Sequence, residues 1–146
     1  MEQIGSLLHN WILIAAAAAW TAAQIIKALL YGVIHRHFEW HRLLGDGGMP
    51  STHSATVTAA ATACGMLYGL DSGVFALAVL LAFITCHDAM HARQEIGKQA
   101  AAIKELAKDR ESDLDIVLKE FVGHTPAQVV VGIVLGLAAG LAVSLL

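Results

Sequence analysis

Charge is scarce in this chain. Of its 146 residues, 14% are Asp, Glu, Lys or Arg, whereas 57% are hydrophobic. A soluble domain of this length needs far more charge to cover its surface. The composition therefore points to an integral membrane protein, and the length to one domain over residues 1–146. Proline is also rare: Pro50 and Pro126 are the two, each at the edge of an apolar stretch. The two cysteines, Cys64 and Cys86, lie inside apolar stretches without paired-ligand spacing. They read as small packing residues, not as a disulfide or a zinc site. There is no basic tract, so nucleic acid is not an expected partner. The net charge of -3 is too small to imply a partner of opposite sign. The N-terminus lacks a basic region before its first apolar run, so no cleaved signal peptide is expected.

What is present is apolar sequence in four stretches, Asn10–Tyr31, Ser54–Leu70, Gly73–Ala89 and Thr125–Leu146. A spanning helix takes about 17–25 residues. The middle two are at the short end and call for tilt or burial against neighbours. The fold class is thus all-α, a membrane helical bundle of about four transmembrane helices with short amphipathic interfacial helices. Leu70-Asp71-Ser72-Gly73 is short enough to make a tight helical hairpin. Gly132, Gly136 and Gly140 recur every fourth residue, a stripe that lets another helix backbone come close. Between the third and fourth stretches, Ile96, Ala100, Ile103 and Ala107 have helical spacing. Ser112-Asp113-Leu114-Asp115 resembles a capping box for a second helix, with Leu114, Val117, Leu118 and Phe121 on one face. A partner-binding arm is the other reading of this pair.

Lysine and arginine set the orientation. Arg36 and Arg42 follow the first stretch, and Arg93, Lys98, Lys104, Lys108, Arg110 and Lys119 follow the third. Lys27 lies near the same end of the first stretch and can snorkel there. If the chain weaves back and forth, every cation falls on one side, expected to be cytoplasmic, with both termini outside.

The polar residues able to do chemistry collect on that same side. Gly47-Gly48-Met49-Pro50-Ser51-Thr52-His53 leads into the second stretch. Glycine permits close backbone approach, Pro50 suits a first helical turn, and N–H groups at a helix start favour an anion. His53 can protonate a leaving oxygen; the plain alternative is a Gly-Pro turn and a cap. Gly123-His124-Thr125-Pro126 repeats the arrangement. His124 can be a nucleophile if another group orients its second nitrogen; Gln128, one turn on, is an uncharged candidate, and Asp88 and Glu120 are charged alternatives if the fold brings them close. A histidine that only caps the helix is the alternative. Arg93 offers a planar fork for phosphate oxygens, or it pairs with Asp88. Lys27 is a phosphate ligand or an interfacial anchor. His87, Asp88 and His91 can share a helix face, and His35, His37 and His41 add nitrogen donors, but no metal motif organises them.

Three ordered segments carry a family resemblance. They are Gly47 to Ala55 (GGMPSTHSA), Asp88 with Arg93-x-x-x-Gly97-Lys98-Gln99-Ala100, and Leu118-Lys119-Glu120-x-x-Gly123-His124-Thr125-Pro126-x-Gln128. Together with Gln24-x-x-Lys27 they resemble the divergent branch of the type 2 phosphatidic acid phosphatase superfamily, which includes acid phosphatases and vanadium-dependent haloperoxidases. The resemblance covers nearly the whole chain. It implies that Lys27, Arg93, Ser51 and Thr52 hold a phosphate group, that His53 is the general acid and that His124 attacks phosphorus to form a phosphohistidine. It implies no metal or other cofactor. A bacterial-type plasma membrane is expected, and the cation distribution puts the site at its cytoplasmic face. The chain departs from the mainstream pattern at Thr52, which replaces a glycine, and at Gln128, which stands where an aspartate orients the nucleophile. Arg93 lies far upstream of His124 instead of a few residues before it, and Arg36 is too displaced to supply the first motif's arginine.

The expected function is a membrane lipid phosphatase acting on a lipid phosphate monoester or pyrophosphate, from a phospholipid or a polyprenyl phosphate. A non-catalytic membrane protein that binds phospholipid headgroups or a partner protein is the alternative of a different class. A metal-dependent hydrolase is the third. Four short spans make a small enclosure, which a homodimer would enlarge.

Overall fold

Asn10 opens the first helix by accepting hydrogen bonds from the N–H groups of Ile12 and Leu13, at 3.1 and 3.2 Å. It stands at the start of the computed structural model's main helical unit; the structure describes residues 6, 8–36, 48–90, 92–108 and 124–146. Among these residues the helices are α1 (Trp11–His35), α2 (Thr52–Tyr68), α3 (Gly73–Met90), α4 (Ala92–Lys108) and α5 (Pro126–Ser144). There is no strand among them. The architecture is the expected all-helical bundle. α1, α3 and α5 are long and apolar enough to cross a membrane. α2 has 17 residues, about 25 Å at 1.5 Å per residue. It packs against α1, α3 and α5. That central position shields its hydroxyl-rich sequence from lipid.

Boundaries differ from the apolar stretches where hydrogen bonding continues beyond hydrophobicity. α1 runs to His35, past Tyr31, and stops at Arg36 in the left-handed region (φ 52°). α2 starts at Thr52 because the Ser51 side chain takes the cap. Pro50, expected in the first turn, therefore lies one residue before the cap, after a cis Met49–Pro50 bond. Gly69 (φ 87°) ends α2, and Ser72 then accepts from Phe75 N–H at 3.2 Å to start α3. This is the tight hairpin anticipated from the sequence. In α4, Gly97 and Ala100 are buried whereas Ile103 is exposed. The helix proposed after Ser112 lies outside the described residues.

The core is built from small side chains. Ala15, Ala19 and Ala23 of α1 meet Ala55, Ala59 and Ala63 of α2, all fully buried. On another face of α2, the glycine stripe of α5 brings backbones together. A Cβ at Gly132 would lie 2.5 Å from Ser51 O, and one at Gly136 would lie 2.5 Å from Ala55 O. No side chain fits such a gap, so glycine is required by the packing itself. Bulky apolar residues point away from this core. Leu77 and Phe83 are 70% and 69% exposed, and Val134 is 60% exposed. Water would not tolerate so much apolar surface, but lipid solvates it.

Candidate active site

The close packing of α1, α2 and α5 gathers several polar residues at one end of the bundle. His124 immediately precedes the α5 cap and is 2% exposed. Its backbone N–H donates to Ala89 O near the end of α3, at 3.1 Å. His53, in the first turn of α2, faces it with ring centroids 5.9 Å apart. The backbone N–H of Ser51 donates to Gln128 O at 3.0 Å, tying the approach to α2 directly to α5. Lys27 of α1 is 7% exposed. A Cβ on Gly48 would come within 3.3 Å of the Lys27 Cγ atom, so the chain entering α2 lies against the lysine stem. Gly48 has φ 86°, where glycine is favoured.

The α5 cap fixes more than the helix. Thr125 N–H donates to Gln128 Oε1 at 3.0 Å, and Gln128 N–H donates to Thr125 Oγ1 at 3.4 Å. The same Oε1 is 3.3 Å from His124 Nδ1. Amide oxygen and nitrogen are assigned by their partners. Here the backbone N–H of Thr125 can only donate, so the Gln128 atom facing it must be the oxygen. That oxygen can only accept, so His124 Nδ1 carries the hydrogen. In the neutral imidazole the lone pair is then on Nε2. Gln128 thus selects the tautomer of His124 through an acceptor shared with the helix cap.

The two helix starts differ. α5 spends Thr125 and Gln128 N–H on its capping box and begins with Pro126, which has no N–H. α2 begins with Thr52 and His53, first-turn N–H groups that a helix leaves to be satisfied from outside itself. At its first position α2 carries an N–H where α5 has none. Ser51 is fully buried and its Oγ accepts from Ser54 Oγ–H at 3.0 Å, so it acts first as a cap. Thr52 is also buried, at 7% exposure.

The other expected site residues are exposed or lie outside the description. Asp88 is exposed on α3 although it adjoins Ala89. Arg93 belongs to the first turn of α4, four residues beyond Ala89; its side chain lies outside the described residues. Glu120, His37, His41 and His91 lie outside them too. Among the described residues no three His, Cys, Asp or Glu side chains form a group that could hold a metal ion. One residue escaped the sequence reading except as part of a motif. Gln24, one turn from Lys27, is buried and its Oε1 has no hydrogen-bond partner. An amide amid an apolar stretch was the available signal.

A membrane bundle with two facing histidines and a buried lysine defines the class, and comparison with known sequences defines the family. The Divergent PAP2 family profile matches residues 8–139, and the chain belongs to that family. It is 38% identical over 140 residues to the uncharacterized membrane protein YuiD of Bacillus subtilis (strain 168), covering 86% of this chain and 89% of the relative. No solved structure matches.

Proposed function

We propose that the protein is a membrane phosphatase that hydrolyses a lipid phosphate monoester or pyrophosphate through a phosphohistidine. The observation that carries this reading is the facing pair His53 and His124, with Gln128 Oε1 placed to hold the hydrogen on His124 Nδ1. His124 Nε2 attacks phosphorus, and the bond from phosphorus to the lipid oxygen breaks. His53 gives its proton to that oxygen, so a monoester releases the lipid as a neutral alcohol and a pyrophosphate releases it as the lipid monophosphate. Water then attacks the phosphoryl group, His53 takes the water's proton, and the N–P bond breaks to release phosphate and restore His124. Lys27, Arg93 and the α2 N–H groups balance the charge on the phosphoryl oxygens, which is the main source of rate in phosphoryl transfer. The site end faces the cytoplasm in this reading, because the nine Lys and Arg all flank it. A second reading, headgroup binding without turnover, draws on the neutrality of Gln128, which stabilises an imidazolium less well than a carboxylate does.

Phosphate release from a panel of lipid phosphates by purified protein tests the reading. Activity on at least one lipid phosphate, lost in His124→Ala by about a thousandfold or more, is the expected result. Saturable phosphate binding with no turnover across the panel would select the second reading.

A further inference from the structure

A groove of about 330 Å³ runs between α1, α2 and α3, lined by Trp20, Gln24, Thr52, His53, Thr56, Val57 and Thr85. We propose that it receives the oxygen-bearing glycerol backbone of a lipid phosphate, and that Gln24 recognises the oxygen on the carbon next to the phosphoester carbon. The proposal deepens the phosphatase reading and rests on it for the position of the phosphoryl group.

Position is the first argument. His53 belongs both to the groove and to the facing pair with His124. In an in-line displacement the leaving group departs opposite the nucleophile. An acid that protonates the leaving oxygen therefore stands beside that oxygen, on the side where the leaving group lies. The groove occupies that side. Depth agrees. α1 approaches the site end and α2 leaves it, so Gln24 lies one turn deeper than Lys27, and Thr56 one turn deeper than Thr52. One turn is about 5 Å, the scale on which glycerol oxygens follow a phosphate.

Chemistry is the second and independent argument. Gln24 is 7% exposed and its Oε1 lacks a hydrogen-bond partner. A buried amide oxygen left in that state is costly, more so at membrane depth. Its Oε1 accepts from a glycerol hydroxyl; turned over, the amide donates Nε2–H to an ester oxygen or carbonyl. Phosphatidate and phosphatidylglycerophosphate share an oxygen on that carbon. A polyprenyl phosphate has only hydrocarbon there and would leave Gln24 unsatisfied, a difference that binding sites convert into selectivity.

The test uses the full chain in detergent micelles with dioleoylphosphatidate and farnesyl phosphate as substrates. Wild type should prefer the phosphatidate. Gln24→Met, of similar shape but without the amide, should lower kcat/KM for phosphatidate about tenfold and leave farnesyl phosphate unchanged or improved. An equal fall on both substrates, no change on either, or a wild-type preference for farnesyl phosphate would overturn the proposal. A second measurement needs neither turnover nor a change at Gln24. With Trp11 and Trp40 replaced by Phe, Trp20 fluorescence should be quenched saturably by diacylglycerol brominated beside its ester carbonyls, and not by brominated farnesol. Saturable quenching in a protein that hydrolyses nothing would uphold the groove while the phosphatase reading fails. Hydrolysis without saturable quenching would do the reverse.

Discussion

Two halves of this molecule pack by opposite rules. α1, α2 and α5 approach closely through faces built mainly of alanine, glycine, serine and threonine. Along α3 only Cys86 and Ala89 are buried, and Leu77, Leu80, Phe83 and Ile84 face outward. The residues with chemical potential belong to the tight half: Lys27, His53, His124 and Gln128 come from three helices locked by backbone contact. α3 contributes to that end mainly through Ala89 O, which holds His124 N–H. The lesson is that the glycine stripe is a positioning device. It fixes where α5 begins relative to α2, and so fixes the separation of the two histidines.

The largest effect expected from breaking this arrangement is at Gly136. Leu in place of Gly136 would drive a side chain into Ala55 O, 2.5 Å from the new Cβ. Overpacking of this kind costs about 1–3 kcal/mol or more, and here it must also separate α2 from α5. Thermal unfolding in detergent should fall by many degrees, with loss of any phosphate release. A variant as stable and active as wild type would show that the contact does not position the site. The matched change in the loose half is Gly73→Ala, where nothing lies within 4 Å of a new Cβ. It should alter stability by no more than about 0.5 kcal/mol.

Gln128 sharpens the comparison at smaller scale. Gln128→Leu removes the shared acceptor, leaving Thr125 N–H and His124 Nδ1–H without it. We predict a fall in kcat of about a hundredfold or more, since loss of the orienting acceptor frees the wrong tautomer. The Michaelis constant should change little, because no phosphate contact is touched. Gln128→Glu keeps an oxygen toward both donors and adds a charge beside the imidazolium. Steady-state kinetics should show retained or higher kcat, by roughly a few-fold if the charge is worth about 1 kcal/mol. A Glu variant as slow as the Leu variant would mean that Gln128 does not act through His124.

Much of this was legible in the sequence. The apolar stretches place the helices, and alternating direction places both histidines at one end. The four-residue glycine spacing announces the α2–α5 contact. That Gln128 could reach His124 was legible from their separation of one turn. What sequence could not convey was how atoms share partners. The capping box at Thr125 and the tautomer of His124 depend on a single oxygen facing two donors. Asp88 is a charged alternative only if the fold brings it close, and its side chain is exposed, because which face of α3 turns inward is decided by packing. Gln24 looks like a motif residue until burial shows an amide oxygen with no partner. Pro50 reads as a first-turn residue until Ser51 takes the cap.

The central claim is that His124 acts as a nucleophile through Nε2, with Nδ1 held as a donor by Gln128. Rapid quenching in alkali during turnover of radiolabelled lipid phosphate, followed by peptide mapping, tests it most directly. The account predicts an acid-labile, alkali-stable phosphoryl group on His124 alone, attached at Nε2. Label on His53, attachment at Nδ1 of His124, or steady phosphate release with no trapped phosphohistidine would contradict it.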